Sequence, residues 1–264
     1  MYTDLKGKTA VVTGSSAGIG LAIARGLAQS GAKVILNSRK QAETNKARDQ
    51  LLKEMPQAEI ESIAADLGHA DGCHSFITHC PDCDILVNNL GIYEPRDFFD
   101  TTDTEWQRFF DVNVMSGIRL SRVYALKMVE KGWGRIIFIS SESACNIPAD
   151  MIHYGFSKTA LLSISRGLAK RLANTGVTVN AVLPGPTLSA GFAESLADEA
   201  KRTGKTLETL AREFVLQHRP SSIIQRVATT EEVANMVVYT CSTQASATTG
   251  AALRVDGGVI DSII

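Results

Sequence analysis

Short β-branched runs alternate with longer stretches of helical periodicity along the whole chain. Residues 9–13, 33–38, 60–64, 85–88, 135–140, 177–183 and 252–255 read as strands. Residues 19–30, 41–53, 104–131, 154–173 and 231–241 carry the helical pattern. Several strands are apolar at every position, as in Ile136-Ile137-Phe138-Ile139, which suits a parallel sheet covered by helices on both faces. Strand–helix–strand alternation demands right-handed crossovers, so the expected fold is α/β: a doubly wound, mostly parallel sheet of seven strands. With no repeat and no low-complexity linker, residues 1–264 are expected to form one domain.

One segment breaks the rhythm. Residues 187–220 replace a simple connection with a long, partly charged excursion, expected as a helical insertion before the penultimate helix. Phe192 and Leu196 share a helical face, as do Leu207, Leu210, Ala211 and Phe214, while Lys201, Arg202 and Glu213 suit the opposite one. The plain alternative is a surface hairpin of helices. Its departure from the carboxyl end of a strand favours a lid over a ligand crevice.

Composition narrows the field. Of 264 residues, 44% are hydrophobic and 21% charged, enough apolar surface to offset ordering entropy. Lys and Arg number 27 against 28 Asp and Glu, a net charge of −1 that offers no footprint for nucleic acid or an anionic membrane. The first eight residues carry no leader-like apolar run, and no run approaches the ~18 residues of a membrane span. Five cysteines do not make a disulfide framework, so ordinary thiols in a reducing cytoplasm are expected.

The candidate chemistry begins where the first strand ends. Thr13-Gly14-Ser15-Ser16-Ala17-Gly18-Ile19-Gly20 leads into a helix with the spacing Gly-x3-Gly-x-Gly. Glycines allow a sharp turn and a close ligand approach, and the helix start presents unpaired N–H groups to a diphosphate. Alone, such a turn can be a structural elbow. At the first strand–helix junction it favours a Rossmann-type dinucleotide site.

The second strand bears on which dinucleotide. NAD-binding folds usually place an acid there against the ribose 2′-hydroxyl. Here the strand closes with Asn37-Ser38-Arg39-Lys40, with no carboxylate and two cations. An Arg fork helped by a serine hydroxyl can grip a 2′-phosphate, so NADP(H) is preferred, with NAD(H) possible. The plain alternative leaves Arg39 and Lys40 as solvated residues at a helix start.

Further on, Tyr154-Gly155-Phe156-Ser157-Lys158 puts a phenol and an ammonium four residues apart, on one helical face. A lysine nearby favours phenolate and tunes the tyrosine as an acid or base. The strand at 135–140 ends in Ser140-Ser141, at the carboxyl edge where open α/β sheets bind ligands.

Together these residues resemble the short-chain dehydrogenase/reductase family, single-domain and ketoacyl reductase-like, over nearly the whole chain. The glycine turn is similar to the family's cofactor motif. Asn88-Asn89-Leu90-Gly91 is similar to its Asn-Asn-Ala-Gly motif, with Leu90 in place of the usual alanine. The resemblance implies Asn113, Ser141, Tyr154 and Lys158 as catalytic residues. It implies Gly14, Ser15, Ser16, Gly18, Ile19, Gly20, Ser38, Arg39, Asp66, Leu67, Asn89 and Gly91 as cofactor contacts, with Tyr154, Lys158, Pro184, Gly185 and Thr187 at the nicotinamide end. In the implied reduction, hydride passes to a substrate carbonyl while Tyr154 supplies a proton and Ser141 holds the oxygen. Lys158 binds the nicotinamide ribose and keeps Tyr154 acidic, and Asn113 positions a water leading to solvent. A helix-kink or capping role is the alternative for Asn113.

Ser143, Ile147, Tyr93 and residues 188–192 are expected to line the pocket for a carbonyl or alcohol substrate. A catalytically silent dinucleotide sensor is the alternative from another class, disfavoured by the complete catalytic set. His69, Cys73, His74, His79, Cys80 and Cys83 crowd one segment without zinc-site spacing, so no metal is expected. His153 is read as a packing or pocket-edge residue. The apolar girth of residues 154–173 and the apolar tail at 259–264 suit subunit contacts, and the resemblance implies a homotetramer, a dimer of dimers.

Overall fold

A computed structural model describes residues 3–263. Met1 and Tyr2, in the segment expected to carry no leader-like run, and Ile264, in the apolar tail, lie outside the described residues. Seven parallel strands form one sheet in the order β3-β2-β1-β4-β5-β6-β7. They are β1 (Thr9–Val12), β2 (Lys33–Ser38), β3 (Ile60–Ala64), β4 (Ile85–Asn88), β5 (Gly134–Ile139), β6 (Val177–Pro184) and β7 (Ala252–Val255). The nine helices of the described residues are α1 (Gly18–Gln29), α2 (Gln41–Glu54), α3 (Ala70–His79), α4 (Asp103–Phe110), α5 (Ser116–Lys131), α6 (Ile152–Arg171), α7 (Ala190–Thr203), α8 (Leu207–His218) and α9 (Thr230–Cys241).

Successive side chains of a strand point to opposite faces, so an all-apolar strand feeds two cores. Ile137 and Ile139 of β5 join Ile23 and Leu27 of α1, Leu51 of α2 and Val237 of α9. Ile136 and Phe138 join Phe76 of α3, Leu120 and Tyr124 of α5 and Leu161 of α6. The strand order reverses between β1 and β4, opening a crevice at the carboxyl ends, where such sheets bind ligands.

Two expectations need correction. The helical pattern over 104–131 is continuous but not uniform: a π-helical turn, Asp111–Met115, lies between α4 and α5. The insertion precedes the last helix of the described chain, α9, rather than the penultimate one. Within it, α7 and α8 pack on each other through Leu196, Leu210, Ala211 and Val215, with Phe192 against Phe214. Among the described residues no helix is long and apolar enough to cross a membrane.

Candidate active site

The glycine turn crosses from β1 to α1 at the crevice. Gly14 has φ +61°, a backbone region disfavoured for residues with a Cβ. A Cβ on Gly20 would sit 2.5 Å from the Gly14 carbonyl oxygen and from Asn89 Nδ2, so the first turn of α1 closes directly on the loop. The loop is tied down from β4. Asn89 Nδ2 donates to the carbonyls of Thr13 (2.9 Å) and Gly14 (3.0 Å), while Thr13 Oγ1 accepts from the backbone N–H groups of Asn89 and Leu90. Leu90 therefore joins this clamp through its backbone.

A diphosphate fits this turn. Helix α1 begins after Ala17 with no capping side chain and no acid in its first turn, leaving N–H donors and the positive dipole end for an anion. By contrast α4, α7, α8 and α9 all begin under a Thr or Ser side-chain cap. Ser15 is an exception among the expected contacts: it is fully buried, its hydroxyl donating to the Val12 carbonyl and accepting from Asn37 N–H. Its side chain braces the loop, while Ser16 and Ile19 stay partly exposed.

The ends of β2 and β3 divide the remaining candidates. Arg39 is exposed, and its guanidinium has no hydrogen bond or ion pair among the described residues. Ser38 is engaged elsewhere: its buried hydroxyl lies 2.7 Å from Thr44 Oγ1 and donates to the Lys40 carbonyl, fixing the start of α2. Asp66 is exposed, with Oδ1 accepting from Gly68 N–H. Leu67 is 1% exposed and packs beside Phe76 and Val11, so only its backbone can face a ligand.

At the end of β5, Ser141 caps a 3₁₀ turn, its hydroxyl accepting from Ser143 N–H at 3.1 Å. Tyr154 and Lys158 lie one turn apart on α6, the Lys158 Nζ 5.6 Å from the phenol ring centroid. That ammonium is buried and donates to the Ile139 carbonyl at 3.0 Å. It also lies 3.1 Å from where a Cβ on Gly91 would sit, so Gly91 leaves its front face open. Burial brings Lys158 down to about 8, since an ammonium is costly away from water. Burial also pushes the Tyr154 phenol up to about 12, and the nearby Ser141 hydroxyl pulls against that rise. Desolvation is the largest influence on the phenol in this structure.

Asn113 occupies the π-helical turn, a distortion frequent at functional sites. Its Oδ1 accepts from Ile92 N–H (2.8 Å), and its Nδ2 donates to the Ile92 carbonyl (3.0 Å) and to Ser157 Oγ (2.9 Å). The amide thus fastens the loop after β4 to the helix carrying Tyr154 and Lys158. Across the crevice, Pro184 closes β6 and Gly185 rests against Asp256, where an added Cβ would meet backbone at 2.8 Å. Thr187 donates to the Gly185 carbonyl at 2.9 Å.

Tyr93 is half exposed, its ring edge-on to Tyr154 at 6.5 Å, and Ile147 is half exposed beside Gly155. Helix α7 starts over the crevice. Ser189 Cβ lies 3.4 Å from where a Cβ on Gly18 would be, and Tyr93 Oη lies 3.3 Å from the corresponding point on Gly191. His153 is buried against Phe109 and Trp106, away from a proton-transfer role. Cys73, Cys80 and Cys83 are buried around Phe76 and Tyr124, with burial raising each thiol. Among the described residues no three His, Cys, Asp or Glu side chains gather as a metal site.

Sequence reasoning missed Asn37, Glu142 and Arg219. Asn37 Oδ1 accepts from Gly14 N–H, and its Nδ2 donates to the Ile63 and Ala65 carbonyls. An amide closing the apolar run Val34-Ile35-Leu36 was the available signal. Glu142, buried, and Arg219, partly exposed, form an ion pair, Nε to Oε1 at 2.7 Å, between residues far apart in sequence, and no local pattern announces it.

Comparison with known proteins bears on the identity of this crevice. Residues 8–200 match the short chain dehydrogenase family. The oxidoreductase YvaG of Bacillus subtilis is 47% identical over 263 residues, covering 100% of both chains. The 3-oxoacyl-(acyl-carrier-protein) reductase of Rickettsia felis is 34% identical, covering 97% of this chain and 98% of its own. The structure of L-sorbose reductase from Gluconobacter frateurii, complexed with NADPH and L-sorbose, superposes with a TM-score of 0.91 at 31% identity over 100% of both chains. A chain with this crevice and these relatives belongs to the short-chain dehydrogenase/reductase family, as an oxidoreductase of alcohol and carbonyl groups that uses NAD(P).

Proposed function

We propose that this protein interconverts a carbonyl compound and a secondary alcohol with NADP(H) in preference to NAD(H), using Tyr154 as its acid and base. The observation that carries the reading is the convergence of Ser141, Tyr154 and Lys158 at the carboxyl edge of β5, opposite the glycine turn. Gly14, Ser16, Gly18, Ile19 and Gly20 would hold the diphosphate, with Ser15 bracing their loop. Asp66 and the Leu67 backbone would flank the adenine, with Asn89 and Gly91 behind it and Pro184, Gly185 and Thr187 at the nicotinamide end. When bound, the nicotinamide supplies hydride to the carbonyl carbon or removes it from the alcohol.

The chain's own residues govern the proton. With its phenol pushed up to about 12, Tyr154 holds its proton at neutral pH and can give it to an alkoxide as that charge develops. Ser141 donates to the same oxygen and fixes the carbonyl beside the phenol. A charged Lys158 stabilises the phenolate left behind. Asn113 acts as a positioning residue, since its amide is bonded to Ile92 and Ser157.

Arg39 supports the NADP(H) preference: an exposed guanidinium with no partner among the described residues, at a strand end that lacks the acid expected for a ribose hydroxyl. The NADPH of the sorbose reductase structure points the same way. Helices α7 and α8 would act as a lid on a single domain, because α7 begins against Gly18 and Tyr93. Leu126 on α5 is 64% exposed and Phe156 on α6 is 47% exposed, a pair of apolar faces that would pack in a homotetramer. Free thiols, four of the five buried, are at home in a reducing cytoplasm.

The test is NADPH oxidation, followed by absorbance, with a panel of ketones and aldehydes. The expected result is turnover that Tyr154→Phe lowers by about 10³-fold while NADPH still binds. Tight NADPH binding with no turnover on any carbonyl would make the protein a sensor instead. A tetrameric mass by light scattering is expected, and a monomeric one overturns the assembly.

A further inference from the structure

The residue after Ser141 is a glutamate whose side chain is only 4% exposed. Its Oε1 accepts from Arg219 Nε at 2.7 Å and from Ser143 Oγ at 3.1 Å. Its Oε2 is buried with no partner among the described residues. Arg219 gives its Nη1 to the His218 carbonyl at 2.8 Å, and its Nη2 has no acceptor among the described residues. An arginine–carboxylate pair normally closes as a two-bond fork. This one is closed at a single point, Nε to Oε1, leaving Oε2 buried and unpaired among the described residues.

Position gives the gap a use. Arg219 caps α8, so the pair joins the insertion to the catalytic turn, and among the described residues it is the one ion pair that does so. The charges of Glu142 and Arg219 both act on the Tyr154 phenol. A buried carboxylate oxygen without a donor costs free energy, so a group that supplies one gains affinity. We propose that Glu142 and Arg219 form a hydroxyl-recognition subsite selecting neutral polyhydroxylated ketones, and the polyols they are reduced to. This rests on the carbonyl-reductase reading above. One substrate hydroxyl donates to Glu142 Oε2, and a neighbouring hydroxyl oxygen accepts from Arg219 Nη2.

The chemistry excludes the neighbouring classes. Glu142 already balances the Arg219 charge, so a sugar acid or a phosphate-bearing thioester gains no net attraction and meets a carboxylate. A plain ketone leaves both groups open, and sites built to bond a hydroxyl discriminate strongly against analogues that lack it.

The experiment has a binding arm and a turnover arm. The NADPH complex of the Tyr154→Phe variant is titrated by calorimetry with a neutral ketohexose, the matching sugar acid and cyclohexanone. The ketohexose is expected to bind at least about tenfold tighter than either. Glu142→Gln, which turns the acceptor into a donor, is expected to remove at least about tenfold of that preference. Arg219→Lys, which keeps the charge but not Nη2, is expected to act in the same direction and serves if Glu142→Gln does not fold. In the turnover arm, Glu142→Gln should lower the kcat/KM ratio of ketohexose to cyclohexanone by a similar factor.

Tighter binding of the sugar acid would make this an anion site and overturn the proposal. An equal effect of both variants on all three ligands would leave the pair as a tether for the insertion, with the same consequence. Turnover of cyclohexanone without ketohexose binding would sink the subsite alone. Ketohexose binding sensitive to Glu142, without turnover of any carbonyl by the native enzyme, would sink the reductase reading and leave the subsite standing.

Discussion

At the carboxyl edge of the sheet, Lys158 is 4% exposed and its ammonium has a single acceptor among the described residues, the Ile139 carbonyl at 3.0 Å. At the amino edge of the same β5 strand, Arg135 is 2% exposed and donates to three carbonyls, those of Ser242 (3.2 Å), Gly134 (2.8 Å) and Gly176 (3.3 Å). Ser242 closes α9, so Arg135 meets the negative end of a helix, and its guanidinium carbon lies 4.5 Å from the Trp133 ring centre. A cavity of about 500 Å³ opens beside it, lined by Trp133, Thr178, Ser246 and Thr249 among others, with no carboxylate. The two cations are equally buried and unequally served. Carbonyls, a helix end and an aromatic face hold the arginine in its charged form, which its high proton affinity secures in any case. One carbonyl leaves the lysine near the point where it can lose its proton. A cation poised in that way is useful to proton chemistry, whereas one held from several sides is useful to folding.

Swapping each cation for an apolar side chain of similar length should separate these roles most sharply. Arg135→Met leaves three carbonyls without their donor and should cost about 3 kcal/mol of stability, with little change in kcat for the folded protein. Lys158→Met should do the reverse, lowering turnover by about 10²-fold or more while raising stability at pH 7 by up to about 3 kcal/mol. The sign follows from the direction of the shift. The folded lysine titrates near 8, below its ordinary value of 10.5, so the unfolded chain binds more protons between those values. The burial penalty is therefore complete below pH 8 and disappears as pH rises toward 10.5. Denaturant titrations at pH 7 and pH 10 should show the native protein gaining stability across that window, and Lys158→Met lacking the gain. A destabilised Lys158→Met beside a neutral Arg135→Met would collapse the contrast.

A smaller effect should appear in the pH–rate profile for carbonyl reduction. If a charged Lys158 steadies the phenolate, the rate falls roughly tenfold per pH unit above about 8, as the ammonium is lost. The phenol adds no second limb below about 12. A profile flat to pH 10 would mean that the Lys158 charge does not matter to turnover.

These two edges were not equally legible. All seven strands could be read from their β-branched runs, because an all-apolar strand between two helical layers has few other readings. The glycine turn and the Tyr154–Lys158 spacing were legible because both are local: a loop passing into a helix, and two side chains one turn apart. The π-helical turn between α4 and α5 was not. The apolar pattern runs on through residues 111–115, and the π-helical turn places the Asn113 amide against Ile92, twenty-one residues earlier. Ser38 was read as helping an Arg fork at a 2′-phosphate, and Ser15 as part of the glycine turn. The bonds their hydroxyls make, to the start of α2 and within the loop, are not local patterns and were not legible. Arg135 drew no attention, since a basic residue at a strand start reads as surface until β6 and α9 cover it.

Arg39 offers the mildest perturbation, and it refines the contrast between held and available cations. Lys40, its neighbour, already pairs with Glu43 at 3.3 Å, whereas Arg39 has no partner among the described residues and follows the end of β2, where the proposed function puts a ribose. Arg39→Ala removes a charge from an exposed position, so stability should change by no more than about 0.5 kcal/mol. NADPH affinity should fall about tenfold through loss of the charge-assisted bonds to the 2′-phosphate, with NADH affinity unmoved. Fluorescence titrations with the two reduced cofactors measure both. An equal loss for NADPH and NADH would place Arg39 against a part common to both cofactors. No loss for either would leave Lys40, still charged beside Glu43, as the residue to test next for the 2′-phosphate.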